Sequence, residues 1–504
     1  MTTDLASAPP TGRPDAVFDL LARPWIPVQT TTGCQQLLSL RDTLLRAHEL
    51  ADLAADGPME QVALHRLLLA VIHRALGGPV DHDQWAAWWR TGRLDAAPIT
   101  RFLDEHAGRF DLWGARPFAQ TPGLQTKLVP VDRLTAYPDR GAGAGWFAPV
   151  PRELTEAQAA VWLLWCQAYD TGGIRAAHGG GRAMGTPSGH AGWSSQIRLC
   201  GHTLAQTLLL SLPPLPPPTG PLTDPDRAAS QSQPPPDDLG WWERRDPPHR
   251  RNDHSPVGPI HTLTWASRRI LLHRDDDGMV RRVQIAAGDD ARRLPGDPHT
   301  ARPARRATWR TDTDPWRLLE LLGALDAAEL PDLDATDPDA TIEHEPVPQP
   351  GVLTAVAERV TGGHLPGDTT IRITLTQVRY NRHRSMIEDA AQWQLAIPAA
   401  ACTPGTTAHR ALTTMAWTLA RIERAVVSAT TAAARTRPHT AEQIAHLAEQ
   451  ARMQLRADLD PAVRQVARDP SPAAIDRLTE TARQASSRHL THALDQAIQS
   501  GWGL

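Results

Sequence analysis

Lysine is almost missing from this chain: Lys127 is the only one among 52 basic residues. Nearly every permanent side-chain cation is therefore arginine, whose planar fork of donors suits phosphate and carboxylate better than a point charge does. A biased genomic base composition gives the same pattern, and both readings stand. Cysteine is scarce too, at positions 34, 166, 200 and 402, with no CxxC pair. That spacing offers neither a zinc ribbon nor a disulfide framework, and a reducing cytoplasm is the expected compartment. No uninterrupted apolar stretch is long enough for a membrane span, and no basic segment followed by an apolar core opens the chain, so membrane insertion and secretion are not expected. Catalytic signatures are likewise missing: there is no HExxH, no G-x-S-x-G elbow and no complete P-loop. Asp275-Asp276-Asp277 falls in a predicted turn and reads as a solvated loop, and the histidines lack zinc-ligand spacing. The chain is not expected to be an enzyme, and no cofactor or metal is expected.

What is present is length and local contrast. At 504 residues the chain has room for two to four domains, and its net charge of -4 excludes a uniformly basic coat while leaving room for basic patches. Residues 1–16 read as a flexible tail, and 213–238, rich in Pro, Ser, Asp and Gln, as a disordered insertion. Phe18 to Val28 reads as a short buried strand followed by a turn at Thr32-Gly33. Ser39 is placed to cap a helix carrying Leu40, Leu44 and Leu45, and Met59 to Leu76 suits a buried helix. Thr155-Glu-Ala-Gln158 is a capping box opening a helix to Tyr169. Val280 to Ile285 reads as one strand of a hairpin turning at Asp276-Asp277-Gly278, and Ile371, Ile373 and Leu375 alternate as a half-buried strand does. Beyond Thr403-Pro404, apolar residues at helical spacing (Leu412, Met415, Leu419, Ile422, Val426) begin a bundle, continued by helices opening at Thr440 and Ser471-Pro472. The expected fold is α+β, with a large mixed globular domain over 17–400 followed by an all-α helical bundle over 401–504.

The most distinctive stretch is Gly172 to Gly192, which holds eight glycines, two arginines and two histidines. Backbone without Cβ atoms can lie against a phosphate strand or a base edge where side chains would collide. A mobile surface loop explains the glycines as well. The Gly180 to Thr186 spacing imitates a Walker motif but has no lysine and no preceding strand. From Trp241 to Arg310 arginines come in pairs, at 250–251, 268–269, 281–282, 292–293 and 305–306, for which a solvated cationic face is the plain reading.

Several ordered motifs carry a resemblance. Phe18 to Val28 with the two helices after it, Arg109-Phe-Asp-Leu-Trp-Gly-Ala-Arg-Pro-Phe-Ala-Gln120 and His261-Thr-Leu-Thr-Trp-Ala-Ser-Arg-Arg-Ile270 together resemble the CasA family, the large subunit of the type I-E CRISPR-associated Cascade complex. The resemblance implies a subunit that recognises the protospacer-adjacent motif (PAM) in double-stranded DNA and starts opening the duplex so that guide RNA pairs with one strand. It then helps recruit a helicase-nuclease for antiviral defence. The implied partners are other Cascade subunits, guide RNA, target double-stranded DNA and that helicase-nuclease, with no membrane.

Residue by residue, the glycine loop that enters the minor groove maps to Gly179, Gly180 and Gly181, or in a second register to Gly181 through Gly185. The family's lysine finger falls on a hairpin without lysine, where Arg281 or Arg282 takes its place. The glutamine-centred wedge falls on Asn381, Arg382 and His383, none of them glutamine. A loop contacting the guide RNA and neighbouring subunits maps to Phe147, with Trp146 beside it; anchoring of both rings in the core is the alternative. The family's bundle has four helices where the pattern gives three, so Ser385 to Leu395 or the piece after Pro461 is expected to supply the fourth. Arg421, Arg424, Arg452 and Arg456 are candidate phosphate contacts on that bundle. Two readings from other classes stay open: a metal-dependent nuclease whose site forms only in the fold, and a purely structural scaffold.

Overall fold

In the computed structural model the described residues are 17–135, 152–177, 183–212, 238–244, 258–290, 297–301, 330–331, 341–342, 351–435 and 439–501. The N-terminal motif forms a turn before its strand. Asp19 accepts from the backbone N–H of Leu21, and Trp25 Nε1 reaches the Leu20 carbonyl at 2.9 Å, so only the end of the predicted strand is extended. β1 (Ile26–Thr30) then sits between β2 (Gln35–Leu38) and β3 (Leu50–Leu53), reversing at Gly33, whose φ of +91° suits glycine.

Ser39 caps α1 (Leu40–Leu45) by accepting from the Asp42 N–H at 3.0 Å. α2 (Pro58–Leu76) begins with proline, which lacks the N–H a first turn could not use, and stops at Gly77 in the left-handed region. Its apolar residues are buried nearly all round, which makes it a central pillar of the N-terminal core with α4 (Ala96–Glu105) and α5 (Glu156–Tyr169) packed on it, while α3 (His82–Thr91) buries Trp85 and Ala86 in a separate cluster. α5 opens on the predicted capping box of Thr155 and Gln158.

Four sheets follow among the described residues. β4 (Val129–Pro130), β8 (Arg268–Arg274) and β9 (Val280–Ala287) form one in the order β4-β9-β8, with Gly278 (φ +84°) in the β8–β9 turn. β5 (Gly173–Arg175) and β6 (Met184–Thr186) form a small antiparallel pair. β7 (Ser195–Cys200), β10 (Thr300–Ala301), β13 (Thr370–Tyr380) and β14 (Ile387–Pro398) form the third, ordered β10-β7-β13-β14, while β11 (Leu330–Pro331) pairs with β12 (Thr341–Ile342) as the fourth. Between these lie α6 (Leu204–Leu210), α7 (Pro259–Leu263) and α8 (Gly351–Thr361). Asp238, expected to end a disordered insertion, is buried and accepts the N–H groups of Ile260 and His261, capping α7.

One face of the third sheet, with Ile197, Leu199, Ile371, Ile373, Leu375 and Leu395, joins Val352 and Val356 of α8 and the bundle in a second core. The bundle consists of α9 (Thr407–Arg435), α10 (Ala441–Arg468) and α11 (Pro472–Gly501), sealed by Leu412, Met415, Leu419, Leu455, Leu459 and Leu478. Both expected sources of a fourth helix are overturned. Ser385 to Leu395 runs into β14, where Trp393 and Leu395 alternate with polar residues on the other face, and α10 passes through Pro461 without ending. Among the described residues the bundle has three helices.

Candidate nucleic-acid interface

Four residues at the end of α5, Tyr169 to Gly172, tie together three segments singled out in the sequence. The Asp170 carboxylate is 3% exposed and accepts Arg175 Nη2 of β5 at 2.8 and 3.0 Å, together with the Nε of Arg268 at the start of β8. Arg268 is itself buried and donates to the carbonyls of Thr171 at 2.9 Å and Pro187 at 2.8 Å. Burial by itself would raise the Asp170 carboxyl, but Arg175, Arg268 and Arg133 outweigh it and hold the group below its ordinary value. Tyr380, the last residue of β13, donates its hydroxyl to the Tyr169 carbonyl at 2.7 Å. The Gly172 N–H donates to the Arg384 carbonyl at 2.6 Å. Glycine stretch, β8–β9 hairpin and β13–β14 hairpin thus share one anchorage.

The glycines of the stretch divide by what a Cβ would meet. At Gly189 it would lie 2.4 Å from the Ala168 carbonyl carbon, and at Gly192 2.3 Å from the Tyr380 hydroxyl, so these positions are needed for the chain's own packing. At Gly172 a Cβ would lie 3.1 and 3.3 Å from the Thr186 and Arg384 carbonyl oxygens. Gly185 differs: it is exposed, has no positive φ, and a Cβ there meets nothing within 4 Å. Opposite it on β5 stands Ile174, 78% exposed.

The β13–β14 tip places the predicted wedge residues beside the flanks of this stretch. Asn381 closes the turn, its Oδ1 accepting the Ser385 N–H at 2.8 Å and its carbonyl accepting the Arg384 N–H at 2.8 Å. Its side chain is therefore committed to the turn, while Arg382 and His383 are the exposed central residues.

Arg281 and Arg282 lie toward the other end of their hairpin. The Ala287 N–H bonds the Ala176 carbonyl, and five or six residue steps at about 3.3 Å separate that contact from the pair, so they are not brought to the anchorage. Asp277, Asp275 and Glu153 surround the Arg281 guanidinium at 2.6 to 3.0 Å and raise its affinity for the proton further. Arg282 is 56% exposed, and its one ion pair among the described residues is with Asp275 at 3.2 Å. Replacing Arg281 with alanine is expected to leave the thermal midpoint nearly unchanged in calorimetry, because exposed ion pairs contribute little.

Other expectations are redirected. Arg268 and Arg269 do not form a solvated face: Arg268 serves Asp170, and Arg269 pairs with Asp289 at 2.8 Å, both arginines being buried. Arg452 and Arg456 clasp Glu423 across α9 and α10 at 3.0 and 2.7 Å and so brace the bundle, whereas Arg421 is exposed. Gly179, Gly180, Gly181, Trp146, Phe147, the 1–16 tail, 213–237 and the arginine pairs at 250–251, 292–293 and 305–306 lie outside the described residues. Asp170, Trp193 and Arg384 were not legible as site residues. For the buried Arg268 a signal existed, since it shares the period-2 face of Ile270 and Leu272.

Comparison with known proteins decides the family. A model of CRISPR-associated protein Cse1 matches residues 19–497. The chain belongs to the Cse1 family. A curated Cse1 relative, CasA/Cse1 of Thermus thermophilus, is 36% identical over 206 residues, a segment spanning 40% of this chain and 40% of that protein. The crystal structure of Thermobifida fusca Cse1 superposes with a TM-score of 0.79 at 26% identity, covering 96% of this chain and 93% of that one. A chain of a CRISPR RNA-guided surveillance complex shares the Cse1 fold at 17% identity, with a TM-score of 0.64 and coverage of 95% and 100%. Among the described residues no three His, Cys, Asp or Glu side chains are grouped to hold a metal ion, and no helix is long and apolar enough to cross a membrane.

Proposed function

We propose that this Cse1 protein is the non-catalytic large subunit of a type I-E Cascade complex, reading a PAM in double-stranded DNA and opening the adjacent base pairs. The carrying observation is the joint anchorage of the glycine stretch and the β13–β14 tip at Tyr169 to Gly172. A backbone able to enter a minor groove then stands beside two exposed side chains, Arg382 and His383, that can replace stacking and pairing at the first base step. The protein reads groove shape and a few base edges, while pairing with the guide RNA supplies most specificity. In this reading Arg282 is the better placed of the hairpin pair to meet phosphate, because carboxylates enclose Arg281. Trp146 and Phe147 contact guide RNA and neighbouring subunits, residues 17–400 carry the reading loops, and the duplex, once opened, is passed to a helicase-nuclease.

Gly185→Val gives the cleanest test. The position has open space and sits in a strand, where a β-branched residue is welcome, so the fold and complex assembly are expected to be unaffected. Binding of the assembled complex to a motif library of DNA duplexes is expected to weaken at least about tenfold, as a lost close groove contact implies. Unchanged binding by Gly185→Val, and by bulky replacements across Gly179 to Gly185, would remove the glycine stretch from the interface. Cleavage of DNA by the purified chain in the presence of Mg²⁺ or Mn²⁺ would instead favour a nuclease.

A further inference from the structure

Arg384 stands one residue past the exposed pair at the hairpin tip and has φ +54°, a conformation uncommon outside glycine, asparagine and aspartate. An arginine held there is strained and persists where its surroundings over-determine it. They do so on both sides of the glycine stretch. On the entry side, the Arg384 carbonyl accepts the Gly172 N–H at 2.6 Å. On the exit side, its guanidinium donates to Ser188 Oγ at 3.2 Å and the Gly192 carbonyl at 3.3 Å, and lies 3.9 Å over the Trp193 ring. Among the described residues no carboxylate pairs with this guanidinium, so its partners are carbonyl, hydroxyl and ring.

We infer that Arg384 is a positioning residue that locks the β13–β14 tip to both flanks of the glycine stretch, making groove reading and duplex opening a single mechanical unit. This rests on the function proposed above. Arg382 and His383 need not be rigid to touch DNA, but to separate the first base pair they must hold their place relative to the backbone seated in the groove. Arg384 supplies that fixed relation. Lysine cannot replace it, because an ammonium lacks the planar face that stacks on Trp193 while donating from its edge.

The test uses Cascade assembled with Arg384→Ala, Arg384→Lys or Arg384→Gly and two duplexes carrying the motif and a guide-matched protospacer. One is fully paired; the other is mismatched at the base pairs next to the motif, so that it is already open. Arg384→Ala is expected to weaken binding of the paired duplex roughly tenfold or more, the scale of a lost stacking and charged hydrogen-bond set, while binding the open duplex like the wild type. Lysine is expected not to rescue. Glycine, which relieves the backbone but removes the clamp, is expected to match alanine. Trp193→Leu, which removes the stacking platform and leaves the backbone alone, is expected to show the same pattern, and it decides the matter if the Arg384 variants fail to assemble. Wild-type binding of the paired duplex by the variants, or equal loss on both duplexes, would overturn the inference. A wild-type complex indifferent to the motif would overturn the function itself, a separate result.

Discussion

Replacing Asp170 with alanine is expected to destabilise the protein by about 3–5 kcal/mol, because it leaves buried cations without a counter-charge. Arg175 and Arg268 both turn to this carboxylate, and their side chains are 8% and 0% exposed. Neither can reach water without moving β5 or β8. The Arg268 N–H groups would keep the Thr171 and Pro187 carbonyls, but carbonyl dipoles do not neutralise two charges. Asparagine retains shape and hydrogen-bond capacity without the charge, so it should lose less than alanine. Urea or thermal unfolding of the isolated chain measures both, and a loss under about 1 kcal/mol for alanine would mean that the anchorage is held by packing alone.

Stability is expected to fall steeply as the pH is lowered from 7 to 4, with histidines acting first. His73 is buried, and burial pushes it down to about 4 from an ordinary value near 6.5. A group whose folded value is depressed contributes stability that is present above the unfolded value and lost as the pH falls toward the folded one. For His73 the window runs from about 6.5 to about 4, worth roughly 3 kcal/mol at about 1.4 kcal/mol per unit. His65 and His190 act in the same sense, burial being the first cause for both, with Arg198 and Arg66 respectively adding repulsion. A second phase begins below about pH 4, where Asp170 and Asp297 come to bind protons in the unfolded chain. Burial would raise Asp297, but Arg66 and the hydrogen bond from His299 hold it far below the carboxylate range. Melting midpoints across this range test the order of events: His73→Leu should flatten the upper part of the curve and leave the lower part in place. A flat profile between 6.5 and 4 in the parent chain would refute the assignment.

Local signals carried much of the fold. Ser39, Thr155 and Thr440 announced their helices because a capping side chain bonds an N–H only two or three residues away, and the turns at Gly33 and Gly278 follow from chain reversal. The β13 alternation and the bundle seam were legible because period alone decides which face is buried. What failed needed distant partners. Arg268 looked solvated because its counter-charge stands 98 residues earlier, and Arg452 and Arg456 looked available because Glu423 lies on another helix. Arg384 gave no sign, since its partners are carbonyl groups and a tryptophan nearly 200 positions away in sequence. Cse1-family motifs singled out the glycine stretch and the two hairpins, yet three-dimensional pairing was required to separate glycines that serve packing from Gly185, which does not.

The way the stretch is fastened bears on how its relatives can diverge. Gly172 and Gly189 are pinned by Arg384 and Asp170, and Gly173 pairs with Thr186, so the two strands leave the body at a spacing that the intervening residues do not set. Residues inserted or deleted between Ala177 and Ala183 would leave these anchoring contacts and the register of Gly173 with Thr186 in place. The length of that connection then becomes a quantity that evolution, or an engineer, can change in single-residue steps without rebuilding the scaffold.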